Sequence, residues 1–388
     1  MTAATWRAGR PGWQLLLLAL LAAAALVAAV LVGSVARSPG SPADPQAAAL
    51  ERSARAAAAT FLTRYVDADG RVVRRDQGGD TVSEGQAYGM LLAVADMDEA
   101  RFDAVWGWTR AHLLQPSGLM AWRWRAGSVV DPQPATDADL DASQALMRAA
   151  RVFDRPELRG EGRALAGAVL AQATVPAVDG RLLVAGPWAR QDPAIVNPSY
   201  LAPGTARTLG AQTGDAGWSA VARTQQSLLD TLLGTPPLRL PSDWARVPAP
   251  QGLAQVTQAV PSGAPDGSAG PVYGYDAPRL LVRLASSCAP EDRADAAGLV
   301  ERLARRPLPA LLDLDGSARA DYEQPLGLVA AAAVEHALGD EPERNALLEQ
   351  AGALPAATDT YYGSAWAALG RSLLTPSPLT PCDPGAAA

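Results

Sequence analysis

Three short segments hold carboxylates where acid–base chemistry could be done. The first is Thr81-Val82-Ser83-Glu84-Gly85-Gln86-Ala87-Tyr88-Gly89-Met90, which sets Glu84 in a small, polar, glycine-flanked turn ahead of the apolar run Leu91–Val94. A Glu held there by backbone has the fixed geometry, partial desolvation and raised pKa that a general acid needs. Ser83 followed by Gln86 reads equally as a capping box that opens a helix. The second segment is Ala135-Thr136-Asp137-Ala138-Asp139-Leu140-Asp141. Asp137 and Asp141 share a face once the helix has started, and Asp139 points elsewhere. Asp also suits the first turn of a helix, although three within five residues repel one another more than a cap requires. The third is Tyr273-Gly274-Tyr275-Asp276-Ala277-Pro278-Arg279. Asp276 precedes a helix with Pro near its first turn, which again fits a cap. The other reading is a base carboxylate kept ionised by the helix terminus and Arg279, with Tyr275 beside it.

Composition leaves carboxylates as the agents of catalysis. The chain has 388 residues and a net charge of −7, which argues against a nucleic-acid partner. It contains no Lys, so all 33 basic residues are Arg, and Schiff-base chemistry and a P-loop lysine are excluded together. The two His, His112 and His336, lie in helix-like contexts that suit structural roles. Two Cys give no zinc-ligand spacing. No metal or organic cofactor is implied. Ten Trp against three Phe supply flat faces of the kind that sugar rings stack on, or plain core.

Elements that could position these groups are mostly helical. Apolar residues recur three and four apart over Ala48–Tyr65, Glu84–Ala95, Glu99–Leu114, Asp139–Phe153, Pro156–Ala173 and Ala202–Thr213. The pattern continues over Trp218–Leu233, Pro278–Ala285, Asp292–Arg305, Glu323–Leu338, Pro342–Ala351 and Tyr362–Leu373. The best alternating stretches, Arg71–Arg74 and Arg181–Val184, are short. A dozen helices without a composition break predict one all-α domain of paired helices over residues 47–374, followed by a Pro-rich tail over 375–388.

Taken together, these motifs resemble glycoside hydrolase family 8. The resemblance runs from about Gly70 to Tyr362. Beyond the three carboxylate segments it includes Phe102-Asp103 with Trp108-Thr109, Trp122-Arg123-Trp124, Asn197-Pro198-Ser199-Tyr200 and Tyr361-Tyr362. It is nearest the bacterial endoglucanases that accompany cellulose synthesis. The resemblance implies an (α/α)6 barrel that hydrolyses a β-1,4-linked glucan with inversion. It implies Glu84 as general acid and Asp276 as general base, with Asp137 orienting the central sugar and Tyr275 helping to hold the attacking water. Trp122, Trp124, Trp188 and Tyr362 are candidates to line the cleft, and Tyr200, Arg279 and Asp139 join them as candidate substrate contacts. The same fold could act on xylan, mixed-linkage glucan or chitosan, or serve as an idle polysaccharide-binding protein that aids polymer export. The chain departs from the family where the Asp motif continues Ala142-Ser143, a matter of packing, and where an aromatic residue usual after Tyr200 is missing, which bears on subsite affinity and substrate choice but not on the chemistry.

Arg7 and Arg10 precede an apolar run from Leu15 to Gly33, about the roughly 20 residues that cross a bilayer. We expect residues 1–36 to be a signal anchor with the remaining chain outside the cytoplasm, and 37–46 a short linker. The rival is a cleaved signal peptide, for which Ser34-Val35-Ala36 is a candidate cleavage site. Export would put Cys288 and Cys382 in an oxidising compartment, where they could pair and pin the C-terminus or remain two free thiols. Cellulose-synthase-like machinery is a candidate partner.

Overall fold

Helices in this chain sort by how much of themselves they bury. The computed structural model describes residues 44–234, 239–248, 253, 256–259, 270–304, 308–354 and 360–380. Outer and inner helices alternate along the chain: α1 (Pro45–Tyr65) then α2 (Ser83–Asp96), α3 (Glu99–His112) then α4 (Thr136–Val152), and α5 (Pro156–Gln172) then α6 (Pro203–Thr213). They continue with α7 (Gly217–Leu233) then α8 (Pro278–Ala285), α9 (Pro290–Ala297) and the short α10 (Val300–Leu303) then α11 (Pro325–Leu338), and α12 (Glu341–Ala353) then α13 (Tyr361–Leu374). The inner helices α2, α4, α8, α11 and α13 are buried on nearly every side, whereas α6 buries one stripe, Pro203, Ala206 and Leu209. This is an (α/α)6 barrel.

Apart from α6, the inner helices carry small and apolar residues on most faces, which lets them pack side by side. The pairs α2–α4, α8–α11, α11–α13 and α13–α2 pack on one another. Between α4 and α8 the link is polar: Arg283 Nη1 and Nη2 donate to Asp141 at 2.7 and 2.8 Å. On α11, Leu328 and Val329 are fully buried, worth about 1.5–3 kcal/mol each. A Cβ on Gly370 of α13 would come within 2.2 Å of Val329 Cγ1, so only glycine lets α13 approach α11. Phe61 and Tyr65 of α1 meet Tyr361 of α13 at ring-centroid distances of 6.0 and 5.8 Å, which joins the first helix pair to the last. Such aromatic pairs add about 0.5–1.5 kcal/mol beyond area burial.

Short antiparallel strands decorate the ring. They form three sheets: β1 (Thr81–Val82), β2 (Arg123–Arg125) and β3 (Ser128–Asp131); β4 (Thr174–Ala177) and β5 (Gly180–Leu183); β6 (Ala194–Val196), β7 (Trp244–Val247) and β8 (Thr257–Ala259). The strand expected over Arg71–Arg74 does not form, and only isolated bridges, Val66 to Val72 and Arg74 to Asp80, occur there. The helix expected over Asp292–Arg305 is interrupted at Gly298-Leu299. At the C-terminus, Thr375–Thr380 is irregular but anchored, with Leu379 buried and its carbonyl accepting from Arg148 Nη1 at 2.6 Å.

Cys288 is disulfide-bonded, and Cys382, the only other cysteine in the sequence, lies outside the described residues. The apolar run Leu15–Gly33 also lies outside them, and among the described residues no helix is long and apolar enough to cross a membrane.

Candidate active site

All three carboxylate segments open inner helices at one end of the ring. Glu84 stands in the first turn of α2, Asp137 in the first turn of α4, and Asp276 two residues ahead of α8. Helix N-termini favour negative charge by about 0.3–1 kcal/mol each, so three of them suit a cluster of acids. The capping readings fare less well. No side-chain cap closes the start of α2, α4 or α8. Gln86, expected to complete a capping box, instead accepts from Val72 N at 2.6 Å and donates to Thr109 Oγ1 at 2.8 Å. Its amide thereby ties α2 to α3 beneath Glu84.

Arg279 binds the acids into one unit. Its side chain is 1% exposed, and its Nη1 donates to Glu84 Oε2 at 2.8 Å and to Asp137 Oδ2 at 2.9 Å. Its Nη2 donates to Asp276 Oδ1 at 2.7 Å. Glu84 and Asp276 remain 19% and 27% exposed, so both can meet a substrate. Two hydrogen bonds of 2.8 and 2.7 Å across one guanidinium fork hold their nearest oxygens within about 8 Å, compatible with the roughly 6.5–9.5 Å of inverting pairs. Burial raises the Glu84 pKa from 4.5 to about 7, against the pull of Arg279 and with further push from Asp137, Asp276 and Asp141. Asp137 is likewise raised by burial, opposed by Arg279. A buried guanidinium is costly unless its donors are met, and here carboxylates meet them.

The turn that carries Asp276 is held from behind. Asn197 Nδ2 donates to Asp276 Oδ2 at 3.1 Å, while Asn197 Oδ1 is fixed by Ser199 N and Oγ at 3.0 and 2.6 Å. Asp243 accepts from the backbone amides of Gly274, Tyr275, Asp276 and Ala277 at 2.8–3.2 Å. Burial, then the charge of Asp276, lifts the Asp243 pKa to about 6. Gln324 Nε2 donates to Gly274 O at 3.0 Å, and the Tyr362 hydroxyl donates to Tyr275 O at 2.6 Å. The sequence reading missed Asp243 and Asn197 as site residues. Asn197 lay inside a stretch already singled out, whereas Asp243 stands alone in Pro241-Ser242-Asp243-Trp244, with no spacing to mark it.

Other candidates divide between cleft and interior. Tyr275 is 43% exposed and its hydroxyl hydrogen-bonds that of the exposed Tyr322, a residue that no motif marks. Trp188 is exposed, donates Nε1 to Pro134 O at 3.1 Å, and stands 6.4 Å from the Trp244 ring. Trp122 and Trp124 are half-buried; Trp124 lies under the Arg71 guanidinium at 4.5 Å and edge-on to Trp108 at 5.4 Å. Tyr362 is half-buried against the Asp276 turn, and the buried Tyr200 ring lies 5.6 Å from the Arg279 guanidinium carbon. Two further candidates lie in the interior. Arg279 is buried among carboxylates. Asp139 is buried, with Oδ1 accepting from Met120 N at 2.9 Å, and burial raises its pKa well above the usual range.

Two accessible carboxylates held across one buried arginine suit acid–base cleavage of a glycosidic bond. The chain belongs to glycosyl hydrolases family 8, whose model matches residues 44–266. A probable endoglucanase of Novacetimonas hansenii is 32% identical over 283 residues, 71% of this chain and 80% of that protein. An endoglucanase of Pseudomonas fluorescens is 32% identical over 190 residues, covering 45% of this chain and 48% of that protein. Among solved structures, the endo-beta-1,4-glucanase CMCax from Acetobacter xylinum superimposes with a TM-score of 0.69 at 29% identity, over 84% of this chain and 99% of that one.

Proposed function

We propose that this enzyme cleaves internal bonds of a β-1,4-linked glucan with inversion at the anomeric carbon. The observation that carries the reading is the shared Arg279 fork, which sets a protonatable Glu84 and an accessible Asp276 on its two arms. With its pKa near 7, Glu84 keeps a proton in weakly acidic solution and delivers it to the leaving glycosidic oxygen as the C–O bond breaks. Water attacks the opposite face of the same carbon, and its proton passes to the Asp276 carboxylate. One C–O bond breaks and one forms, so no sugar is left on the protein. Asp137, buried and bonded to Arg279, holds the fork. The β-1,4-glucan assignment draws support from the endoglucanases to which the chain is similar. Product analysis on a panel of β-glucans and xylan tests it. Release of short cello-oligomers from internal cuts is the expected result, and exclusive activity on xylan would refute it.

We further propose that the barrel is tethered on the outer face of the membrane. Arg7 and Arg10 ahead of the run Leu15–Gly33 support this, and so does the disulfide-bonded state of Cys288. A tether through the short linker Arg37–Pro45, at most about 3.3–3.6 Å per residue, would suit trimming of a glucan as it emerges from a synthase. Fractionation of cells that express the full chain tests this. Enzyme free in the medium with a new N-terminus near Arg37 would refute it.

A further inference from the structure

We propose that Asp243 is a positioning residue for the general base: its carboxylate is the template on which the turn Gly274–Ala277 folds and aims Asp276. This rests on the reading of Asp276 as base. All four amides of that turn donate to Asp243, three to Oδ1 (Gly274 at 3.0 Å, Asp276 at 3.2 Å, Ala277 at 2.8 Å) and one to Oδ2 (Tyr275 at 3.1 Å). Four successive N–H groups share one carboxylate, so moving that carboxylate disturbs all four bonds together. The fit is tight enough to dictate composition. A Cβ on Gly274 would come within 2.9 Å of Asp243 Oδ2 and 2.8 Å of Leu311 Cδ2.

Asp243 is itself fixed by the sheet that also fixes Asn197. It immediately precedes β7, which pairs with β6 in the register Val196 to Ala245, and Asn197 immediately follows β6. A single strand pair thus delivers Asn197 to the Asp276 carboxylate and Asp243 to the Asp276 backbone. Asp243 N in turn donates to Val272 O at 2.8 Å, so strand and turn are joined in both directions. Among the described residues the Asp243 carboxylate bonds the backbone amides of this turn and no side chain, so it acts on the reaction through the turn. A displacement of about 1 Å at a reacting group can cost about a hundredfold in rate, so loss of this template should act on kcat.

Three variants assayed on a soluble β-glucan test the inference. Asp243→Asn keeps an acceptor for the Oδ1 amides, loses the charge and sets an NH2 group against the Tyr275 amide, and kcat should fall about tenfold with KM unchanged within about threefold. Gly274→Ala, which presses on the Asp243 carboxylate without altering it, should lower kcat in the same way and decides the matter if the Asn variant does not fold. The double variant Asp243→Asn with Asp276→Asn should be no slower than Asp276→Asn alone, since an unaimed base cannot be disabled twice. Near-wild-type kcat in a folded Asp243→Asn or Gly274→Ala enzyme overturns the inference. So does a further tenfold loss in the double variant, or a KM rise that accounts for the whole effect. An active Asp276→Asn enzyme removes the base assignment first and this inference with it, whatever the Asp243 variants do.

Discussion

Glu84→Gln should inactivate the enzyme and, in neutral and alkaline solution, stabilise it. The fold raises the Glu84 pKa from 4.5 to about 7, mainly by burial. At 1.36 kcal/mol per pKa unit, that displacement is about 3 kcal/mol in favour of the protonated side chain. Between pH 4.5 and 7 the folded protein holds a proton that the unfolded chain has released. Stability therefore falls as pH rises through this window and stays lowered above it. Gln cannot ionise and still offers Arg279 a carbonyl oxygen. The variant should match wild type at pH 4.5, gain progressively to pH 7, and hold an advantage approaching about 3 kcal/mol at pH 8.5. Urea unfolding of both proteins at half-unit intervals from pH 4 to 9, compared at equal m values, measures this. A stability difference flat with pH, or a variant weaker than wild type at pH 8.5, would refute the reasoning.

Three further outcomes are expected. Asp276→Asn should lower kcat by several orders of magnitude while polymer binding persists, and more than roughly a tenth of the wild-type rate would remove it as the base. NMR of fresh product from a β-linked oligomer should detect the α-anomer first, and initial β-anomer would mean a double displacement with Asp137 as nucleophile. Arg279→Met strands Glu84, Asp137 and Asp276 without their shared cation, and should cost about 3–5 kcal/mol at pH 8 but less at pH 5, where Glu84 is protonated. Equal losses at both pH values would show that the arginine's contribution is packing alone.

Much of the ring was legible because its helices are long and their apolar spacing is regular. Pro278–Ala285 matched the expected bounds at both ends, and other boundaries moved by a few residues. The strands were harder, because segments of two to four residues carry no period. Glu84, Asp137 and Asp276 stood out as acids at helix starts, a local property that chain order alone reveals. The role of Arg279 did not, since a residue three after an Asp looks like a neighbour of that Asp, whereas its other bonds reach 142 and 195 residues away. Asp243 was illegible for the same reason: its partners are backbone amides 31–34 residues on, and backbone amides leave no trace in residue type. Asp139 misled because it shares the motif of Asp137 while facing Met120.

The Arg279 fork has a consequence for how this enzyme could be tuned. Glu84 and Asp137 lean on one cation and titrate as a set of two, so the acid's proton loss in a pH–activity curve belongs to that set and to neither member alone. Asp137 supplies charge to that set from a position 3% exposed. Replacing it with a neutral isostere frees the cation for Glu84 and removes a repelling neighbour, and both effects pull the acid's proton loss toward lower pH. The working range of such an enzyme is then adjustable from beneath the floor of the cleft, by residues whose main contacts are with one another.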